Sequence, residues 1–219
     1  IASCLVGSEM CIRDRASTKA YTGQVATLAF LAKAVGEANG NEKAKKFDLV
    51  RELSIVAQSI ESTLSEKELI EEKVRGLLET TRNAFYIGRG QDYYVVMEAS
   101  LKLKEISYIQ CEGFAAGELK HGTISLIEDG TPVIALISDN PTVASHTRGN
   151  VSEVVARGAN VLTIVEEGIE KEGDDIIVNK VHPYLSSISM VIPTQLIAYY
   201  ASLHRGPVSY THLRAHETR

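Results

Sequence analysis

Apolar positions recur at steps of three and four through the first part of the chain, then give way to short apolar runs alternating with helical periods. Val25, Leu28, Ala29, Ala32 and Val35 share one face of a helix that starts at Ala16, with Ser17 as candidate N-cap, and stops near Gly36 to Gly40. Phe47 to Leu64 predicts a second helix through Val50, Leu53, Ile55, Val56 and Ile60. Ser65 to Leu78 predicts a third, with Ser65 as its cap ahead of Glu66 and Glu68. The charged run from Glu66 to Lys73 reads as a solvated helix face.

From Asn83 the period changes. Ala84 to Ile87, Val133 to Ser138, Val161 to Val165 and Ile176 to Val178 read as buried strands, each bounded by turn residues such as Glu128-Asp129-Gly130. Between and after them, Asp92 to Tyr108, Pro141 to Arg157 and Tyr184 to Leu203 have helical periods. Gly158 stops the second of these, and Pro193 is expected to kink or divide the third. Strands alternating with helices specify an α/β fold: a doubly wound, mostly parallel sheet flanked by helices over residues 79–206, preceded by a helical segment over 16–78. Residues 1–15 and 207–219 carry neither period. They look like translated adaptor sequence and are set aside as non-native tails.

Composition narrows the function classes. With 44% hydrophobic and 23% charged residues, the chain is that of an ordinary globular protein. A net charge of -5 and a pI near 5.7, with no basic stripe, argue against a nucleic-acid binder. No apolar run approaches the ~20 residues that cross a bilayer. Cys4, Cys11 and Cys111 form neither a disulfide framework nor a metal pattern, so a cytoplasmic location is expected and no metal or cofactor. Cys111 reads as a small core residue.

Candidate chemistry concentrates between Ala99 and Gly122. On a helix over Asp92 to Tyr108, Val96, Ala99, Leu103 and Ile106 form a buried stripe, while Glu98, Lys102 and Glu105 meet on another face at spacings of four and three. A carboxylate beside an ammonium suits proton transfer, although the same pair at a surface contributes little. Beyond it, Gly113, Ala115, Ala116 and Gly117 permit close backbone approach and lead to Lys120 and His121. Upstream, Ile87-Gly88-Arg89-Gly90 joins a strand to a helix as at the ligand-binding edge of a parallel sheet, with Arg89 read either as an anion contact or as a structural group. Ser17, Thr18 and Lys19 open the first helix, where an anion is also favoured.

These motifs carry a resemblance. ASTKAYTGQ at Ala16, IGRG at Ile87, LKLKEISYIQCEGFAAGELKHG at Leu101 and PTQLIAYYAS at Pro193 together resemble the isomerizing glutamine:fructose-6-phosphate aminotransferases, the glucosamine-6-phosphate synthase family. Members have a glutaminase domain, two sugar isomerase (SIS) domains and a short catalytic tail. The resemblance implies that residues 16–78 are the end of the first SIS domain with connecting helices, and that 79–206 are the second SIS domain.

It further implies a sugar-phosphate substrate, fructose 6-phosphate, a homodimer, and three catalytic residues. Glu105 matches the base for proton transfer, Lys102 the cation beside it, and His121 a ring-opening histidine that serves a neighbouring subunit's site. Ser17, Thr18 and Lys19 match a substrate-binding motif. The family's phosphate-holding loop and tail lysine have no counterpart in the chain, so this fragment alone is expected to be inactive. Two other classes share the fold: a related SIS sugar-phosphate isomerase or deglycase, and a non-catalytic sugar-phosphate-binding SIS module. The LKLKE and GELKHG pair favours the aminotransferase.

Overall fold

The computed structural model describes residues 18–138 and 140–205. They form two compact units divided between Val50 and Arg51. In the first unit, α1 (Thr18–Ala38) is followed by the short α2 (Glu42–Lys46), which the sequence pattern did not predict and which Asn41 caps by accepting from the backbone N–H groups of Lys43 and Ala44. No residue of α1 is buried; Leu28, Phe30, Leu31 and Val35, all on the helix predicted to be amphipathic, are about half exposed or more. The helix α3 (Leu49–Ser65) runs across the division between the units.

The second unit is the α/β body. After α3, α4 (Lys67–Leu78) buries Ile70, Val74 and Leu78. Ser65 does not cap it. The residue ends α3, where its hydroxyl donates to the Ser62 carbonyl at 2.6 Å. The body continues as β1 (Asn83–Gly88), α5 (Gln91–Ser107), β2 (Gln110–Ala115), two 3-10 turns (Glu118–His121 and Thr123–Leu126), β3 (Pro132–Ile137), α6 (Pro141–Val155), β4 (Asn160–Glu166), β5 (Ile176–Val178), a 3-10 turn Pro183–Leu185, and α7 (Ser186–His204).

The five strands are all parallel, in the order β2-β1-β3-β4-β5. Strand order reverses between β1 and β3, so right-handed crossovers place α5 and α6 on opposite faces. On the α6 face, Phe85, Ile87, Val133 and Ala135 pack with Val154, Leu119 and Ile127. The alternate residues Tyr86, Ile134 and Leu136 are buried on the other side. A fully buried isoleucine or leucine contributes about 1.5–3 kcal/mol, and β3, buried at every position, supplies several.

Two expectations are corrected here. The stretch after α5, read as a glycine-rich exit, forms the edge strand β2. Its composition hides it, because Gly113 is there for proximity rather than for a turn: a Cβ on it would lie 2.6 Å from the Val96 carbonyl oxygen of α5. Pro193 does not divide the last helix. A single α7 spans it, with Pro193 and most of its neighbours buried, so packing offsets the missing backbone donor.

Candidate active site

Helix α5 starts at the point where strand order reverses. Gly90, at φ 58°, turns the chain out of β1, and the Asp92 carboxylate in the first helical turn accepts from the Ser138 backbone N–H at 2.9 Å, just past the end of β3. Asp92 is buried, and burial pushes its carboxyl up to about 6 despite that hydrogen bond. Gly88 packs directly on Asp92, where a Cβ would come within 2.8 Å of its backbone. At the strand-order reversal, where folds of this class receive ligands, the Asp92 carboxylate thus ties the start of α5 to the end of β3.

The chemistry-bearing residues lie elsewhere on the same helix. Lys102 is buried at 4% exposure, and its ammonium lies 2.8 Å from Glu105 Oε2 and 3.5 Å from Glu98 Oε1. This is no loose surface pair: the Lys102 side chain is 5% exposed against 31% for Glu105. The cation is held in place by two carboxylates, and the Glu105 carboxylate remains open to solvent on one side. Such a group can take and return a proton beside a fixed positive charge. Tyr94, Met97, Leu101 and Tyr108 flank it as exposed apolar residues along α5.

His121 is not brought to this pair. At the carboxyl end of β2, the Ala116 N–H donates to the Gly88 carbonyl at 2.9 Å, and Leu119 is buried in the core. The 3-10 turn then presents His121 exposed, immediately before Gly122 at φ 143°. Helix α5 runs back from that carboxyl edge toward the amino edge, so Glu105 lies roughly 20 Å along the helix from Asp92 at 1.5 Å per residue. Glu105 and His121 of one chain thus face opposite edges of the sheet.

Of the other predicted site residues, Thr18 is half-buried and Lys19 exposed in the first turn of α1, in the first compact unit. Ser17 lies outside the described residues, as do Cys4, Cys11 and both tails. Cys111 is fully buried and burial pushes its thiol up to about 12, which makes it an inert core residue. Arg89 is engaged within the protein. Its Nε donates to Asn150 Oδ1 at 3.1 Å, and its guanidinium covers Gly117. Asn150 and Asp92 carried no signal in the sequence, since each acts through a partner distant along the chain. Among the described residues, no group of three or more His, Cys, Asp or Glu side chains is placed to hold a metal ion.

With this geometry in view, residues 77–205 match the SIS domain family. The chain belongs to the SIS domain family. The isomerizing glutamine--fructose-6-phosphate aminotransferase of Streptococcus mutans serotype c is 80% identical over 191 residues, 87% of this chain and 32% of that protein. Its counterpart from Streptococcus agalactiae serotype V is 82% identical over the same length. The chain therefore spans about a third of the length of these relatives.

Among solved structures, the C-terminal domain of glucosamine-fructose-6-phosphate aminotransferase from Francisella tularensis superposes with a TM-score of 0.78 at 26% identity, covering 86% of this chain and 55% of that one. A glucosamine-6-phosphate deaminase from Thermotoga maritima, at 19% identity and a TM-score of 0.56 over 83% of this chain and 52% of that one, shares the fold. The SIS match covers the sheet and every element that carries Lys102, Glu105 and His121.

Proposed function

We propose that this chain is part of the isomerase region of a glutamine:fructose-6-phosphate aminotransferase, with residues 79–206 as its second SIS domain and 16–78 as connecting helices and the end of the first. The intact protein would convert fructose 6-phosphate and glutamine-derived ammonia to glucosamine 6-phosphate in amino-sugar biosynthesis. The observation that carries the reading is the Lys102 ammonium held 2.8 Å from a half-open Glu105 carboxylate, in a chain 80% identical to such an enzyme.

In this mechanism Glu105 takes a proton from one sugar carbon and returns it to the adjacent carbon. Lys102 offsets the negative charge that develops on the enediol-like intermediate between the two steps. His121 assists ring opening in the site of a second copy. The opposite placement of Glu105 and His121 supports a composite site in a homodimer and a single copy that is inactive by itself. Thr18 and Lys19, with Ser17, would contact the substrate. The net charge of -5 supports a protein that works away from nucleic acid, and among the described residues no helix is long and apolar enough to cross a membrane. We assign the enzyme to the cytoplasm.

The decisive experiment replaces Glu105 by Gln in the complete enzyme carrying this segment. Glucosamine 6-phosphate formation is expected to fall on the order of 10²- to 10⁴-fold with sugar-phosphate binding retained; near-normal turnover would overturn the assignment.

A further inference from the structure

A hydrogen-bonded chain of side chains surrounds the turn that presents His121. Arg89 leaves β1 and lays its guanidinium over Gly117: a Cβ there would meet Nη2 at 2.7 Å and Cζ at 3.1 Å. Its Nε donates to Oδ1 of Asn150, which is buried at 3% exposure on α6. Asn150 in turn donates through Nδ2 to Glu153 at 3.2 Å, and the Glu153 carboxylate pairs with Lys120 at 2.6 Å. Lys120, with Asn150 and Arg89, holds the Glu153 carboxyl below its usual range.

Gly117 and Lys120 bracket the residues leading to His121, so the network grips the turn at both ends. The outer Lys120–Glu153 pair is largely exposed and adds little by itself. The inner half is different. A buried amide that accepts from the guanidinium restrains its plane, and a side chain at 117 would collide with that plane where glycine does not.

We propose that Arg89, held by Asn150, is a positioning residue that sets the orientation of the Gly117–His121 turn, and so the place of the His121 imidazole in the site it serves. The proposal rests on the reading of His121 given above. Arg89 touches no substrate in this scheme; it acts through the turn. A small displacement of a catalytic group lowers turnover far more than it lowers binding.

The test uses four variants of the complete enzyme carrying this segment: His121→Ala, Arg89→Ala, Gly117→Ala and the Arg89→Ala/Gly117→Ala double variant. Glutamine-dependent glucosamine 6-phosphate formation and the thermal midpoint are measured for each. Arg89→Ala and Gly117→Ala are each expected to lower kcat on the order of 10- to 100-fold while KM for fructose 6-phosphate moves by less than about threefold. The double variant should be no worse than Arg89→Ala, because the three atoms that lie nearest to a methyl group at Gly117 all belong to the Arg89 guanidinium and go with it.

Inactive His121→Ala with normal Arg89→Ala turnover overturns the positioning role and leaves the His121 reading intact. Near-normal His121→Ala turnover overturns the His121 reading, and the positioning role with it. A rise in KM alone, or additive losses in the double variant, also overturns the proposal. Should Arg89→Ala fail to fold, Gly117→Ala in the presence of the native arginine decides by the same kcat criterion.

Discussion

Glu105 and His121 belong to one chain yet stand at opposite edges of its sheet: Glu105 near the end of α5, which has run back to the amino edge, and His121 in the turn that follows β2 at the carboxyl edge. The connecting strand carries the chain the full width of the sheet between them. This separation is what a composite site drawn from two copies, as proposed above, requires.

Mixing two inactive variants tests this directly. Glu105→Gln and His121→Ala versions of the complete enzyme are each expected to be inactive. Equal co-expression should restore about a quarter of the wild-type specific activity, since half the dimers pair the two variants and each of these holds one intact composite site. Absence of recovery, with heterodimers demonstrated by differential tagging, would place the two residues in one chain's site.

Lys102 is held by Glu98 and Glu105 in a nearly dry position. Replacing it by Ala leaves two partly buried carboxylates facing each other, with no cation between them. We expect a stability loss of about 1–3 kcal/mol by urea denaturation, together with loss of turnover in the complete enzyme. Lys102→Met, which restores the apolar stem, should recover part of the stability and none of the activity.

Gly113 allows β2 to lie against α5. A Cβ at that position meets the Val96 carbonyl oxygen at 2.6 Å and carbonyl carbon at 2.9 Å, which are backbone atoms that cannot rotate aside. Gly113→Ala is expected to destabilise the chain by about 1–3 kcal/mol in the same measurement, and to increase hydrogen exchange of the β2 amides.

Asp92 makes stability depend on pH. Burial raises its carboxyl from 3.8 to about 6, so between these values the folded chain holds a proton that the unfolded chain has lost. The stabilisation from the neutral acid is complete below about pH 4 and is lost as pH rises through about 6, a contribution of about 3 kcal/mol. Glu166, buried at the end of β4, adds to the rise as a neighbouring negative charge and is itself raised by burial. Asp92→Asn keeps an oxygen for the Ser138 N–H and cannot ionise. Its stability should vary less between pH 5 and pH 8 than that of the native chain, as read by denaturant titration at each pH.

Most elements were legible because their physics is local. Buried parallel strands such as Pro132–Ile137 read as uninterrupted apolar runs, Gly158 ended its helix at φ 94°, and Ile176–Val178 fell where the pattern put it. β2 was not legible: as an edge strand it needs few apolar residues, and the glycine that suggested a loop answers to a helix that only folding brings near. Ser65 satisfied the local rule for a cap, and the preceding helix claimed it instead.

The candidate site divides the same way. The spacing of Glu98, Lys102 and Glu105 was enough to bring them together, because i+3 and i+4 neighbours meet on any helix. Sequence also determined the parallel α/β class, and the LKLKE and GELKHG motifs carried the family resemblance. Tertiary structure alone decided that Lys102 is buried, that Asp92 bonds the Ser138 N–H across the strand-order reversal, that Arg89 bonds Asn150, and that Glu105 and His121 lie toward opposite edges of the sheet. Each of these depends on which elements share a sheet edge, a relation set by strand order and crossover handedness over tens of residues, and no local period in the chain encodes it.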